Sequence, residues 1–331
     1  MSGATRYIFS IGSLNRKDNS LVFRGEAGIN YLPIEGIKEI FFMNEVSLNT
    51  KLLDFLAHHG ITTHFFNYYG HYSGSFYPKE KYLSGRLRVN QALCYHENRM
   101  VVAKSFVDSI YYNIYDYIRS KKYRNPTEIE LILEKLRGCN NQLKSENIKE
   151  LLAVEGEIWQ YFYKFLNSIV EPDFISNKRV KRPPDNPLNA MISFGNSWLY
   201  SKCISQLYHT HLDQSISYLH EPSDGRFSLS LDISEVFKII VVYPVIVNMI
   251  NKRMIHIEEH FLKEMNYCVL TESGRKKFVI ELEKKISTTF NHTKLNRKVS
   301  YETALKLEGY KLSKFLMEGK PFIPFREKEG M

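Results

Sequence analysis

Ile61-Thr-Thr-His-Phe-Phe-Asn-Tyr-Tyr-Gly-His-Tyr-Ser-Gly-Ser-Phe-Tyr-Pro78 is the stretch on which the fold turns. Its first seven residues are mostly β-branched or aromatic, Asn67-Tyr-Tyr-Gly-His71 carries turn residues, and Tyr72 to Tyr77 resumes an extended pattern. Pro78, which has no N–H to give to a ladder, closes it. The reading is a hairpin at the end of a β region. From Lys81 the apolar period changes from two to about 3.6, with Leu83, Leu87, Met100, Phe106, Val107, Ile110, Ile114 and Ile118 on one helical face. Such a switch marks a domain boundary. It predicts an α+β chain, with a β-sheet domain over residues 1–80 and an all-helical domain over residues 81–331.

Upstream of the hairpin, Tyr7 to Ser10, Leu21 to Arg24, Ile29 to Leu32 and Ile37 to Phe42 read as short strands separated by Gly, Asn and Asp turns. One helix, Asn49 to His59, interrupts them and ends at Gly60. Downstream, helices are predicted over Glu128 to Leu136, Ile148 to Phe165 and Leu188 to Leu207. The segment between the last two, Asn177 to Pro187, is basic and proline-stiffened.

A chain of 331 residues is long enough for two cores. Its four cysteines include no C-x-x-C pair, which argues against a zinc ribbon and a disulfide framework. The start lacks the basic head and apolar run of a signal peptide, and the longest apolar run, Ile239 to Ile250, is about half of what a membrane span requires. A cytoplasmic protein with no membrane partner is expected. The net charge of +9 points to an anionic partner, although a lysine-rich surface is often only a soluble one.

Two stretches carry chemistry. Tyr218-Leu-His-Glu-Pro222 and Ser230-Leu-Asp-Ile-Ser-Glu235 present an imidazole, His220, followed by two carboxylates three apart, Asp232 and Glu235. A third candidate carboxylate, Glu155, lies far upstream, so a shared site must be assembled by folding. Imidazole with carboxylates favours a divalent ion of the Mg²⁺ or Mn²⁺ kind over a thiolate zinc site. Tyr163, eight residues after Glu155, falls near the same helical face.

In order along the chain, Leu151-Leu-Ala-Val-Glu-Gly156, Arg182-Pro-Pro-Asp-Asn-Pro-Leu-Asn-Ala-Met-Ile-Ser-Phe-Gly195, Leu219-His-Glu-Pro222 and Ser230-Leu-Asp-Ile-Ser-Glu-Val-Phe-Lys238 resemble the successive motifs of the CRISPR adaptation integrase, the first of the CRISPR-associated protein families. His64 to Pro78 and Leu295 to Tyr301 extend the resemblance over essentially the whole chain. It implies a metal-dependent DNA endonuclease and integrase that inserts short duplexes into a repeat array. It further implies a β domain used for homodimerisation, a helical catalytic domain, and a small ferredoxin-like second adaptation protein as partner. The family's metal ligands map to Glu155, His220 and Glu235. Asn189 matches an asparagine beside the site, and Lys238 falls at a basic position after the acidic motif. Double-stranded DNA would be held through its phosphates by Lys178, Arg179, Lys181 and Arg182.

Each residue also has a plainer reading. Glu155 alone reads as a solvent-facing helix residue, His220 as a loop histidine bonded to backbone, and the basic loop as a solvated connection. Asp232 and Glu235 have the spacing of a capping box, with Asp232 as N-cap and Glu235 at N3. That leaves open which acid would touch a metal. Two rival functions remain. His256-Ile-Glu-Glu-His260 matches the H-x-x-E-H pattern of zinc proteases, with two histidines one turn apart on an expected helix. A non-catalytic DNA-binding module would share the same charge.

Overall fold

Strand alternation explains how the first part of the chain is built. The computed structural model describes residues 3–78, 84–123, 125–181, 183–265 and 267–330. The boundary expected at 80/81, with Lys81 and Leu83, and the basic residue Arg182 lie outside them. Eight strands come first: β1 (Ala4–Ile8), β2 (Gly12–Lys17), β3 (Ser20–Gly25), β4 (Gly28–Pro33), β5 (Ile37–Phe42), β6 (Val46–Ser47), β7 (Thr62–Phe66) and β8 (Tyr72–Phe76). Helix α1 (Thr50–His58) sits between β6 and β7, with the Asn49 side chain accepting from the Leu52 N–H as its N-cap. One sheet has the order β1-β5-β7-β8, parallel except for the last pair; the other has the order β4-β3-β2-β6. Ile40 and Phe42 on β5 face a core shared with Leu14, Leu21 and the α1 residues Leu52, Phe55 and Leu56. Phe41 between them, with Met43 and Phe66, faces the helices. The turn after β7 closes as the sequence predicts, with Gly70 at φ 78° and Asn67 Oδ1 accepting from the Tyr69 and His71 N–H groups.

The helical part comprises α2 (Gly85–Glu97), α3 (Arg99–Ser120), α4 (Pro126–Gln142), α5 (Ile148–Ile169), α6 (Pro187–Tyr208), α7 (Ser228–Phe237), α8 (Tyr243–Asn251), α9 (Ile257–His260), α10 (Glu272–Ser287), α11 (Tyr301–Glu318) and α12 (Glu327–Gly330). It is mostly helical, not wholly so. Two antiparallel hairpins, β9 (Phe261–Glu264) with β10 (Tyr267–Leu270) and β11 (Thr289–His292) with β12 (Arg297–Ser300), interrupt it. Four-residue strands are too short for a period of two to stand out against a helical background.

Lys238 to Val242 forms a π turn joining α7 to α8. Pro244 explains it: proline offers no N–H to the carbonyl four residues back and crowds that carbonyl, so the helix widens, and Tyr243 donates to the Lys238 carbonyl instead. The whole rod, Ser228–Asn251, is long and apolar enough to cross a membrane, yet 83% of its most apolar window is buried inside the protein. It is the central core helix.

Charge joins the sheet to the helices. Lys202 of α6, fully buried, places Nζ 2.6 Å from Glu39 of β5, 2.6 Å from Glu283 of α10 and 2.8 Å from the Thr5 hydroxyl of β1. Burial alone would raise the Glu39 pKa, but Lys202, with help from His64 and Lys38, brings it down to about 2. Lys202→Met strands that carboxylate, and should cost on the order of 3–5 kcal/mol of folding stability. Urea unfolding at neutral pH checks this; a loss below about 1 kcal/mol would show the seam to be held by apolar packing alone. Folding also depresses the Glu39 pKa below its unfolded value of 4.5, so its contribution is present above pH 4.5 and fades as pH falls toward 2.

Candidate active site

Helix α5 is capped by Asn147, whose side chain accepts from the Lys149 N–H, and buries the stripe Leu151, Val154, Ile158, Trp159, Phe162, Phe165. Glu155 sits at the edge of that stripe. It is half-buried, not turned to solvent as its local sequence suggests.

Asp232 is not an N-cap. Helix α7 begins one turn earlier, at Ser228, and the stretch of chain preceding it holds that start: the Leu229 N–H donates to the Gln214 carbonyl (2.9 Å) and Ser228 Oγ to the Ser215 carbonyl (2.7 Å). Asp232 is therefore inside the helix and fully buried, with its carboxylate aimed at the preceding loop. Oδ2 accepts from the N–H groups of Tyr218 (2.8 Å) and Leu219 (2.9 Å); Oδ1 accepts from the N–H of His220 (3.1 Å) and from its ring Nδ1 (2.8 Å). Four donors surround one carboxylate, which leaves it no free lone pair aimed at a metal and fixes the proton of His220 on Nδ1. Nε2 is then the nitrogen with a lone pair to offer. Arg99 at the start of α3 braces the same loop from outside, with Nε donating to the Tyr218 carbonyl (2.8 Å) and Nη1 to Glu221 (2.7 Å).

Glu235, one turn beyond Asp232, is buried and accepts from the ammonium of Lys238. Glu155 shares its field. Burial, then repulsion by Glu235, pushes the Glu155 carboxyl up to about 7, against the opposing pull of Lys238 and His220. Trp159, one turn along α5, lends its indole dipole to Glu155, although its buried N–H closes no hydrogen bond. Burial would lower the His220 pKa, but the Asp232 hydrogen bond and charge, with Glu235 and Glu155 behind them, raise it.

The other predicted residues form the surroundings. The Tyr163 hydroxyl meets that of buried Tyr243 at 3.1 Å, and its ring stacks on Trp159, so it lies a layer behind the carboxylates. Asn189, buried at the start of α6, donates to the Lys178 carbonyl (2.8 Å) and Asp185 (2.8 Å) and accepts from Arg179 (3.3 Å). It pins the basic loop, and none of its hydrogen bonds among the described residues goes to Glu155, Asp232 or Glu235. Arg179 also donates to Ser193 (3.0 Å), and so is tied to the first turns of α6; Lys178 and Lys181 are exposed.

The donor set fits a hard divalent cation: two carboxylates of which one is held up by the other's charge, and an imidazole whose far nitrogen is already anchored. Glu155, His220 and Glu235 are the side chains that could hold it. Among the described residues no three His, Cys, Asp or Glu side chains are yet drawn into a closed ligand cage, and Lys238 occupies Glu235 instead. The H-x-x-E-H pattern does not build a site. His256 is extended backbone ahead of α9, which lasts only four residues before β9, and His260 is buried with Nδ1 engaged by the His256 backbone. Two histidines on one helical face would need a longer helix.

Residues 6–284 match the family model described as CRISPR associated protein Cas1. A curated relative from Thermodesulfovibrio yellowstonii, a CRISPR-associated endonuclease Cas1, is 42% identical over 323 residues, covering 97% of this chain and 98% of its own. The solved structure of a Cas1 protein from Thermotoga maritima superposes with a TM-score of 0.86 at 36% identity, covering 96% of this chain and 99% of that one. A casposase bound to integration product shares the fold at a TM-score of 0.83 and 18% identity, over 99% of this chain and 94% of that one. With a family model spanning most of its length and a relative this similar from end to end, the chain belongs to the Cas1 family of CRISPR-associated proteins.

Proposed function

We propose that the protein is a metal-dependent DNA endonuclease and integrase of CRISPR adaptation, which joins the 3′-hydroxyl ends of short duplexes to a repeat array. The observation that supports this best is the anchoring of His220 by Asp232 on the helix that also carries the buried Glu235, with Glu155 of α5 in the electrostatic field of both Glu235 and His220. Such a site favours an added cation. Mg²⁺ or Mn²⁺ bound there would offset charge on a phosphodiester and favour the alkoxide form of a nearby hydroxyl. The chain's own part is to supply Glu155, His220 and Glu235 as donors, keep the proton of His220 on Nδ1, and screen the carboxylates from water with Trp159 and Tyr163. The exchange of one phosphoester for another needs no covalent protein intermediate: the 3′ oxygen gains the bond to phosphorus that the departing strand oxygen loses.

On this reading the protein works in the cytoplasm as a homodimer joined through its β region, with double-stranded DNA and the small ferredoxin-like second adaptation protein as partners. The charge of +9 suits the DNA. Strand transfer of a 3′-hydroxyl duplex into supercoiled plasmid tests the function. Joined product should appear with Mn²⁺ or Mg²⁺ and vanish with chelator; joining that survives chelation would remove the metal from the account.

The basic loop gives a further expected result. Lys178→Glu with Lys181→Glu should weaken duplex binding without changing sequence preference, and lower the slope of log affinity against log salt by about two, one unit for each phosphate no longer neutralised. Arg179 is left out because its bonds to Asn189 and Ser193 make its reversal a structural change. A slope that does not move marks the loop as a solvated connection.

A further inference from the structure

Lys238 stands where an incoming cation would have to go. Its ammonium bonds Glu235 Oε1 and lies over the Trp159 ring with Nζ 5.9 Å from the centroid, and its side chain is 13% exposed against 8% for Glu235. Lysine three residues from glutamate is ordinary on a helix surface. Here the pair is mostly buried, beside a second carboxylate, and at the first residue of the π turn, where the wider winding alters how the side chain leaves the helix.

Resting on the metal-dependent reading above, we infer that Lys238 is a resident counter-ion that holds the acidic site together when no metal is bound, and that metal entry expels it toward the DNA. A divalent ion taken by Glu235 and an ammonium bonded to the same carboxylate oxygen repel one another, so the two states exclude each other. The lysine stem is long and the side chain is part-exposed, so the ammonium can swing out to solvent. Once released, it is a cation at the mouth of the site, available to a phosphate oxygen. Metal binding and phosphate binding are thereby coupled through one side chain, and the metal-free site does not carry two unpaired buried carboxylates.

The test is Mn²⁺ binding by titration calorimetry on DNA-free, full-length protein, with reductive methylation of Lys238 followed by mass spectrometry. Wild type should bind Mn²⁺ and Glu155→Gln should not. Lys238→Met, which removes the competitor, should bind Mn²⁺ about tenfold more tightly, the scale on which one nearby charge shifts a charged group's equilibrium. Lys238→Arg, which keeps the charge, should stay within about twofold of wild type. In wild type, Mn²⁺ should speed methylation of Lys238. Equal or weaker Mn²⁺ binding by a folded Lys238→Met protein overturns the inference, because a lysine that merely supports the site would weaken binding when removed. Should that variant fail to fold, the labelling decides: a methylation rate unmoved by saturating Mn²⁺ overturns it as well. Wild type that binds no Mn²⁺ would sink the metal reading and this inference together, whereas Mn²⁺ bound through Glu155 with no response at Lys238 would sink this inference alone.

Discussion

Asp232→Asn is expected to give a folded protein that has lost strand transfer by about 10²- to 10⁴-fold, the range typical of changing the group that orients a functional histidine. A capping box would make Asn a harmless replacement, since it caps a helix as well as Asp does. The observed hydrogen bonds forbid that. Both carboxylate oxygens accept two donors each, so the Asn amide must turn its NH₂ toward two N–H groups whichever way it sits. If NH₂ faces the ring, Nδ1 of His220 must become the acceptor and the proton moves to Nε2, the nitrogen that would otherwise ligate. Asp232→Ala goes further, stranding three backbone N–H groups and an imidazole in the interior, and should cost on the order of 3–5 kcal/mol. Denaturant melts and transfer rates measured on both variants check the pair. An Asp232→Asn protein with near wild-type transfer would show that Asp232 neither orients His220 nor sets its tautomer.

Glu155→Gln, His220→Ala and Glu235→Gln should each remove strand transfer, by about 10³-fold or more if the ion supplies several kcal/mol of charge stabilisation. The stability response separates ligands from scaffolding. Glu155 in the folded chain has a pKa raised from 4.5 to about 7, so the folded state prefers the protonated form. Its favourable contribution is present below pH 4.5 and is lost as pH rises to about 7. Glu155→Gln should therefore melt higher than wild type at about pH 8 in the absence of metal, and at the same temperature or lower at about pH 4. Because an ion needs the carboxylate, metal affinity in wild type should rise with pH through the same interval. A Glu155→Gln protein no more stable than wild type on the alkaline side would mean that neither burial nor Glu235 raises the Glu155 carboxyl.

Local pattern accounts for much of the fold, and the parts it misses share one cause. The hairpin at Ile61–Pro78, helix α1, and helices α3 to α5 follow from the sequence because each buries one face at a fixed period, while α6 is apolar enough to be read although it is buried almost all round. Strand β2 is missing from the sequence reading because Gly12-Ser-Leu-Asn-Arg-Lys17 has one apolar residue, Leu14, and is placed in its sheet by its neighbours β3 and β6. The order of motifs along the chain, more than any local pattern, points to Glu155, His220, Glu235 and Lys238, whose charges act on one another in the folded chain. What local sequence does not supply is where a helix begins. Asp232 looks like an N-cap because Asp-x-x-Glu before apolar residues is the same string whether the chain enters the helix at Asp232 or one turn earlier. The choice is made by Gln214 and Ser215, which satisfy the true start from another segment. Arg99 carries no local signal at all, since its partner Tyr218 is 119 residues away. Trp159 does carry one: it lies one turn from Glu155 on the same helix. The H-x-x-E-H match fails for the opposite reason, a pattern that needs a sustained helix falling on one of four residues.

Pulsed electron paramagnetic resonance of bound Mn²⁺ tests the central claim most directly, because it counts the ion and reports a nitrogen ligand without any reaction. Wild type should hold Mn²⁺ with a ¹⁴N modulation from a directly bound imidazole, which disappears in His220→Ala and persists when His256 and His260 are both changed to Ala. Mn²⁺ that keeps its ¹⁴N modulation in His220→Ala, or loses it only in the His256 and His260 double variant, would contradict a site built from Glu155, His220 and Glu235.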